Sequence, residues 1–182
     1  MSNAITLQSV FNAAWDHFIV KGNRDAAVSQ GTCRYITEKG ARCAVGLAFS
    51  EEQLNELVRR DETADTPVML LAKHKSWFDE TETRNGVTAS YAYLNQLTSK
   101  FAVVVAEPEQ NLRRSYMHFA DALKYMQLFL HDKHTEYNPE KDKFVLVATE
   151  RSLRDYYETV AKMLNLTIPP TAPEAATVCN QE

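Results

Sequence analysis

Apolar residues recur along most of this chain at helical spacing. Leu7, Val10, Phe11, Ala14, Phe18 and Ile19 follow an i, i+3, i+4, i+7 pattern, with Thr6 placed to cap the first turn. Lys21-Gly22-Asn23 ends that helix, because Gly22 or Asn23 can take the left-handed conformation that closes one. Ser50-Glu51-Glu52-Gln53 is a capping box, and Phe49 and Leu54 stand where a hydrophobic staple belongs. A helix is therefore expected from there to about Arg60. Residues 61–65 are acidic and polar and read as a loop, after which Thr66-Pro67 opens another short helix. Residues 79–86 form a polar loop with a turn signal at Asn85-Gly86.

Beyond it, Tyr91, Leu94, Leu97, Phe101, Ala102 and Val105 return to helical spacing, and Pro108 interrupts. The longest helix is expected over 109–134, with Leu112, Tyr116, Phe119, Leu123, Met126 and Leu130 as its core stripe. Asn138-Pro139 is a break. Residues 144–147, Phe-Val-Leu-Val, are either a short strand or the lead-in to the last helix, since so short a run has no decisive period. That last helix, over 150–165, uses Leu153, Tyr156, Tyr157, Val160 and Leu164.

One stretch breaks the helical rhythm. Residues 31–46 read GTCRYITEKGARCAVG, which suits a tight β-hairpin turning at Glu38-Lys39-Gly40, with Gly40 in the left-handed region. In that register Tyr35 lies opposite Cys43 and Cys33 opposite Val45. Side chains alternate along a strand, so Cys33, Tyr35, Cys43 and Val45 share an apolar face that packs on helices. Arg34, Ile36, Arg42 and Ala44 share the other. The pattern predicts an α+β fold, mostly helical: about five helices around a small antiparallel hairpin, with 143–147 as candidate third strand. Residues 1–168 form a single globular domain. Residues 169–182 contain Pro169, Pro170 and Pro173 without apolar periodicity and read as a flexible tail.

Composition narrows the setting. The chain has 182 residues, 45% hydrophobic and 24% charged, enough for one domain with its own core. A net charge of −4 argues against a general nucleic-acid footprint. No apolar run approaches the roughly 20 residues of a membrane helix, and the N-terminal apolar residues are too interrupted for a signal peptide. A cytoplasm is expected. Three cysteines do not make a disulfide framework. Cys33 and Cys43 read as buried free thiols, and Cys179 as exposed in the tail.

Candidate chemistry is sparse. Arg34 and Arg42 on one hairpin face form a candidate anion patch, because guanidinium forks suit phosphate and carboxylate. With Tyr35 and neighbouring tyrosines they would make a ligand-binding pocket for a nucleotide-like molecule. His131 and His134 are three apart and could share a metal with Cys33 and Cys43. However, nine residues separate the cysteines, more than structural zinc sites allow. No metal or other cofactor is expected, and His131 and His134 remain weak candidates. The chain has no nucleophile elbow, P-loop or dinucleotide fingerprint. A Cys–His pair would require Cys33 or Cys43 to meet His131, with both thiols on the apolar face. No catalytic residue is expected.

Cys33-x-Tyr35, a glycine turn, then Arg42-Cys43-Ala44-Val45-Gly46, joined later by Met126-Gln127 and His131-Asp132, resembles a family of small uncharacterised proteins from tailed phages, prophages and some bacteria. The resemblance covers residues 6–60 well and 120–168 loosely, and residues 66–115 stand out as an insertion or divergence. The family commonly follows the hairpin with an acidic, proline-containing loop, where this chain has the helical Ser50-Glu51-Glu52. The resemblance implies a phage or mobile-element origin and a mixed helical fold, and it supplies no catalytic residues. The expected function is that of a phage-type accessory protein, acting in the host cytoplasm by binding a host or defence protein without catalysis. The alternative is binding or hydrolysis of a small anionic, nucleotide-like ligand beside the hairpin. As the tail lacks apolar periodicity, truncation after Ile168 should leave the melting temperature unchanged. A large fall would show that the tail docks on the domain.

Overall fold

Helix α1, Leu7–Ala14, opens the fold in the computed structural model, which describes residues 4–29, 32–60, 67–89 and 115–170. Its capping box is the one the sequence indicates: Thr6 accepts from the Ser9 amide, and Ser9 Oγ accepts from the Thr6 amide. The helix widens into a π-helical turn over Trp15–Val20, which keeps Trp15, Phe18 and Ile19 buried. Gly22, at φ +63°, closes it.

Two short strands follow, β1 (Val28–Ser29) and β2 (Thr32–Cys33), paired antiparallel with Val28 opposite Cys33. The hairpin register predicted at the tip holds. Ile36 bridges Arg42, the Cys43 amide donates to the Tyr35 carbonyl at 3.3 Å, and Gly40 has φ +81°. The second strand then stops at Cys43, and residues 46–48 form a single 3₁₀ turn. Cys33 consequently faces Val28 and not Val45. The reason is Gly46: a Cβ there would sit 1.9 Å from the Tyr35 carbonyl oxygen, so only glycine lets the chain fold back this closely. The predicted apolar face is buried throughout, and Ala44, expected outside, is buried with it.

Helix α2 (Glu51–Arg59) carries the predicted Ser50–Gln53 capping box, with Phe49 and Leu54 both buried. Helix α3 (Pro67–His74) begins on its proline. The polar run 79–86 is a short helix and not a loop. In α4 (Glu80–Asn85), Asp79 accepts from the Glu82 amide at the start and Gly86 turns the chain at φ +71°. Acidic residues in the first turn and a left-handed glycine at the end specify a helix even without apolar periodicity. Glu82 also reaches across to α1, where its carboxylate accepts from the Leu7 amide at 2.9 Å.

The predicted 109–134 helix is shorter. Strand β3 (Val87–Ala89) pairs with β4 (Ser115–Met117), which places Tyr116 in a strand, and helix α5 runs over Phe119–Leu130. Strand pairing overrides the helical spacing there, and His118 is already extended at φ −61°, ψ 143°. The helix ends at Leu130, because His131 leaves helical geometry (φ −140°, ψ −67°) before a 3₁₀ turn over Asp132–His134. Strands β5 (Thr135–Asn138) and β6 (Lys143–Leu146) form a second hairpin. Residues 143–147 thus contain the third-strand candidate. Its principal partner is β5, and a bridge between Asp25 and Val145 joins it to the segment leading into β1. Helix α6 (Glu150–Leu164), capped by Thr149 and closed by Asn165 at φ +55°, completes the chain's described part.

The architecture is α+β and mostly helical, with six α-helices among the described residues. The core is one cluster in which α1, α5 and α6 pack on the hairpin, and Phe11, Trp15 and Tyr157 meet ring to ring at 5.7–6.1 Å. Among the described residues no helix is long and apolar enough to cross a membrane. The loop at 61–65, the helix at 91–105, Pro108, Leu112, the tail from 171 and Cys179 lie outside the described residues.

Burial raises the pKa of Glu82 above its ordinary value of 4.5, and the Asp79 carboxylate adds to this while the Leu7 amide opposes it. A carboxyl that ionises less readily in the folded state gives full support below its unfolded pKa and loses it as pH rises through the folded value. Glu82→Gln keeps an acceptor for Leu7 without the charge. It should therefore melt no lower than wild type at pH 7, and the wild type should recover relative to it as pH falls toward 4.5. A variant that melts below wild type at pH 7, by a gap that closes as pH falls, would show instead that the charge is the useful feature.

Candidate functional site

Helix α5 presents Gln127 in its last turn, and His131 and Asp132 follow immediately after the helix ends. The hairpin delivers Cys33 and Cys43 to the same place. Gln127, His131 and both cysteines are buried, and Asp132 is partly so. The residues that carry the family resemblance, 94 positions apart for Cys33 and Gln127, therefore converge on one polar cluster in the core.

Its hydrogen bonds can be directed from first principles. The Ala27 amide donates to His131 Nε2 at 3.1 Å, so that nitrogen is the acceptor and Nδ1 carries the proton. Nδ1–H then donates to Asp132 Oδ1 at 2.8 Å. Gln127 Oε1 accepts from the Val45 amide at 3.2 Å, which turns its NH2 group toward Asp132 Oδ1 (2.7 Å) and Cys33 Sγ (3.0 Å). The 3.3 Å approach of Gln127 Nε2 to His131 Nδ1 brings two donors side by side around the shared carboxylate. Cys43 Sγ accepts from the Gly46 amide at 3.3 Å. Two backbone amides of the hairpin region, Ala27 and Val45, thus find their partners at the C-terminal end of α5 and just beyond it, and the side chains satisfy one another.

The arrangement defines what the thiols can do. The hydrogen bond with Cys43, then burial, then the Asp132 carboxylate push the Cys33 thiol far up, so it stays protonated. Neither thiol meets the electropositive, partly open surroundings of a nucleophile. Cys33, His131 and Asp132 offer ligand atoms within 4.8 Å of one another, the one such group among the described residues. The space among them is taken by the Gln127 amide nitrogen, and the imidazole nitrogen facing it bears a proton. His134 is elsewhere: Nε2 lies 3.0 Å from the Phe129 carbonyl, and the ring packs on Tyr156 at 4.6 Å. The Cys2His2 set considered from the sequence is therefore not assembled.

The predicted ligand residues have the following surroundings. Arg42 forms an ion pair with Glu51 at the start of α2. Arg34 is half-buried, and its amide donates to the Ala27 carbonyl at 2.8 Å. Tyr35 turns inward, its ring edge on Phe49 at 5.5 Å. Sequence reasoning did not single out Gln127 and Asp132 as site residues. Their signal was the four-residue spacing of Gln127 and His131 together with the resemblance.

An open cleft of about 410 Å³ does lie beside the hairpin, at its tip. It is lined by three segments: Asp25, Ala26, Val28 and Ser29 ahead of the hairpin, Thr37, Glu38, Lys39 and Ala41 at its tip, and Tyr137, Asp142, Lys143 and Phe144 from the second hairpin. Comparison with protein-family models, curated proteins and solved structures finds no match.

If the cluster braces the hairpin, Gln127→Met should be costly. It keeps the volume but strands the Val45 amide and removes a donor from Asp132, for a loss of roughly 2–3 kcal/mol in urea unfolding. Alkylation of Cys33 and Cys43, slow in the wild type, should accelerate in the variant. A loss under about 0.5 kcal/mol, the size of a surface substitution, would remove the bracing role.

Proposed function

We propose that the protein is a phage-type accessory protein that acts without catalysis, in a host cytoplasm, by binding a host or defence protein. The observation that carries this reading is the burial of the motif cluster. The groups with chemical potential are enclosed and engaged with one another, and their bonds end on the backbone at Ala27 and Val45. The cluster's work is then mechanical. It holds the hairpin in place and leaves recognition to the outer surface, where loops and turns on a rigid frame commonly carry binding residues. An overall charge of −4 favours partners with basic surfaces.

The test is affinity capture from a host extract using wild type and a hairpin-tip variant, Glu38→Lys with Lys39→Glu. Both positions are exposed, so the variant should fold normally. A single protein enriched by the wild type and lost from the variant is the expected result. Native mass spectrometry showing a stoichiometric small molecule, with no protein enriched, would overturn the reading.

A further inference from the structure

We propose that the cleft at the hairpin tip binds an organic cation, an alkylammonium or guanidinium group. This goes beyond the reading above, because it concerns ligand chemistry and holds whether or not a host protein is captured.

The charges in the cleft are unevenly committed. Three carboxylates (Asp25, Glu38, Asp142) face two ammonium groups (Lys39, Lys143). One ammonium group is paired with a carboxylate, and the other reaches only a backbone carbonyl. Lys143 Nζ lies 2.5 Å from Asp25 Oδ1, and Lys39 Nζ donates to the Asp142 carbonyl at 3.4 Å. Asp142 Oδ1 accepts from the Tyr137 hydroxyl at 2.7 Å, leaving its other carboxylate oxygen available. Glu38 has no ion pair or hydrogen bond among the described residues. With Lys143 paired to Asp25, the remaining charges are two carboxylates, Glu38 and Asp142, against the one ammonium of Lys39, so the balance of the cleft is negative.

The lining also holds an aromatic ring. Tyr137 is 52% exposed and packs at a steep angle on Phe144 at 5.4 Å. Its hydroxyl is tied to Asp142, which holds the ring while about half of the residue stays open to solvent. A cation over a tyrosine face and beside a carboxylate gains from both interactions. Ser29 and Thr37 add hydroxyls that can accept from N–H donors. At about 410 Å³ the space suits an amine chain or one long basic side chain and exceeds what a bare metal ion fills.

Two sources share this chemistry, a free polyamine and a basic side chain of a protein partner. The experiment titrates the intact chain with spermidine, with a capped Gly-Arg-Gly peptide, with the matching Gly-Ala-Gly peptide and with adenosine monophosphate. Amide shifts in NMR spectra locate each ligand, and calorimetry at low and moderate salt gives affinity. The cations should move Glu38, Lys39, Tyr137 and Asp142, with affinity falling as salt rises. Glu38→Gln and Tyr137→Leu should each weaken binding by roughly 2- to 5-fold, in line with exposed ion-pair and cation–π contributions. Binding of spermidine alone assigns a free polyamine, and binding of the arginine peptide assigns a partner's side chain. The proposal fails if neither cation shifts these residues, if the alanine peptide or the nucleotide does so equally well, or if both variants bind like wild type.

Discussion

The bond from the Ala27 amide to His131 Nε2 is the constraint on which the rest of the arrangement depends. A buried amide must find an acceptor, and at Ala27 the strand ladder supplies none: β1 begins one residue later. A neutral imidazole from His131, just past the end of α5, fills the need, and this choice fixes its tautomer. The Nδ1 proton then requires a carboxylate, which Asp132 provides. The carboxylate in turn orients the Gln127 amide, whose oxygen is left pointing at Val45. Each step follows from the previous one because the imidazole and the Gln127 amide are buried away from water, and the partly exposed Asp132 carboxylate is the acceptor within their reach. A buried polar network that is complete in this way specifies one arrangement, and one with a missing member would be worse than an apolar core.

The fold was legible wherever local signals act over a few residues. Thr6 and Ser50 cap as their sequences indicate, Gly22 and Gly40 are left-handed where turns require it, and the tip register of the hairpin is the predicted one. Failures occurred where a distant partner decided the outcome. Tyr116 has helical spacing to Phe119, yet β3 recruits it into a strand from almost thirty residues away. The second hairpin strand ends early because Gly46 folds back onto Tyr35, a contact visible only in three dimensions. The 79–86 run was misread for a different reason: it has good helix ends but no apolar stripe, and periodicity alone passes over such a helix.

The site divides along the same line. Burial of Cys33 and Cys43 was legible from alternation, which needs only the strand period. Their meeting with His131 was considered and set aside, because spacing rules describe metal sites and catalytic pairs and say little about buried hydrogen-bond networks. Glutamine was overlooked for the same reason. It ligates metals poorly and does not titrate, so a search for reactive groups passes it by. Yet it is the residue whose two ends match an amide N–H on one side and a carboxylate with a thiol on the other. The arginine patch rested on alternation as well, which places side chains on a face and cannot reveal that Glu51 stands beside Arg42.

The buried cluster and the open cleft are mechanically one object. Ala27 is held by His131, and its neighbours Ala26 and Val28 line the cleft. The Ala26 amide donates to the Phe144 carbonyl at 3.2 Å, and Phe144 supports the Tyr137 ring. A path of direct contacts thus runs from the imidazole through three residues of backbone to the exposed Tyr137 ring. Such a path stiffens the cleft, because each residue along it is fixed by a hydrogen bond or a packed ring. Stiff walls lower the ordering cost of any binding at such a surface. Residues far apart in the sequence thus act as one structural unit: the hairpin region supplies amides, and Gln127 with His131 just past the end of α5 supplies the acceptors that hold it still.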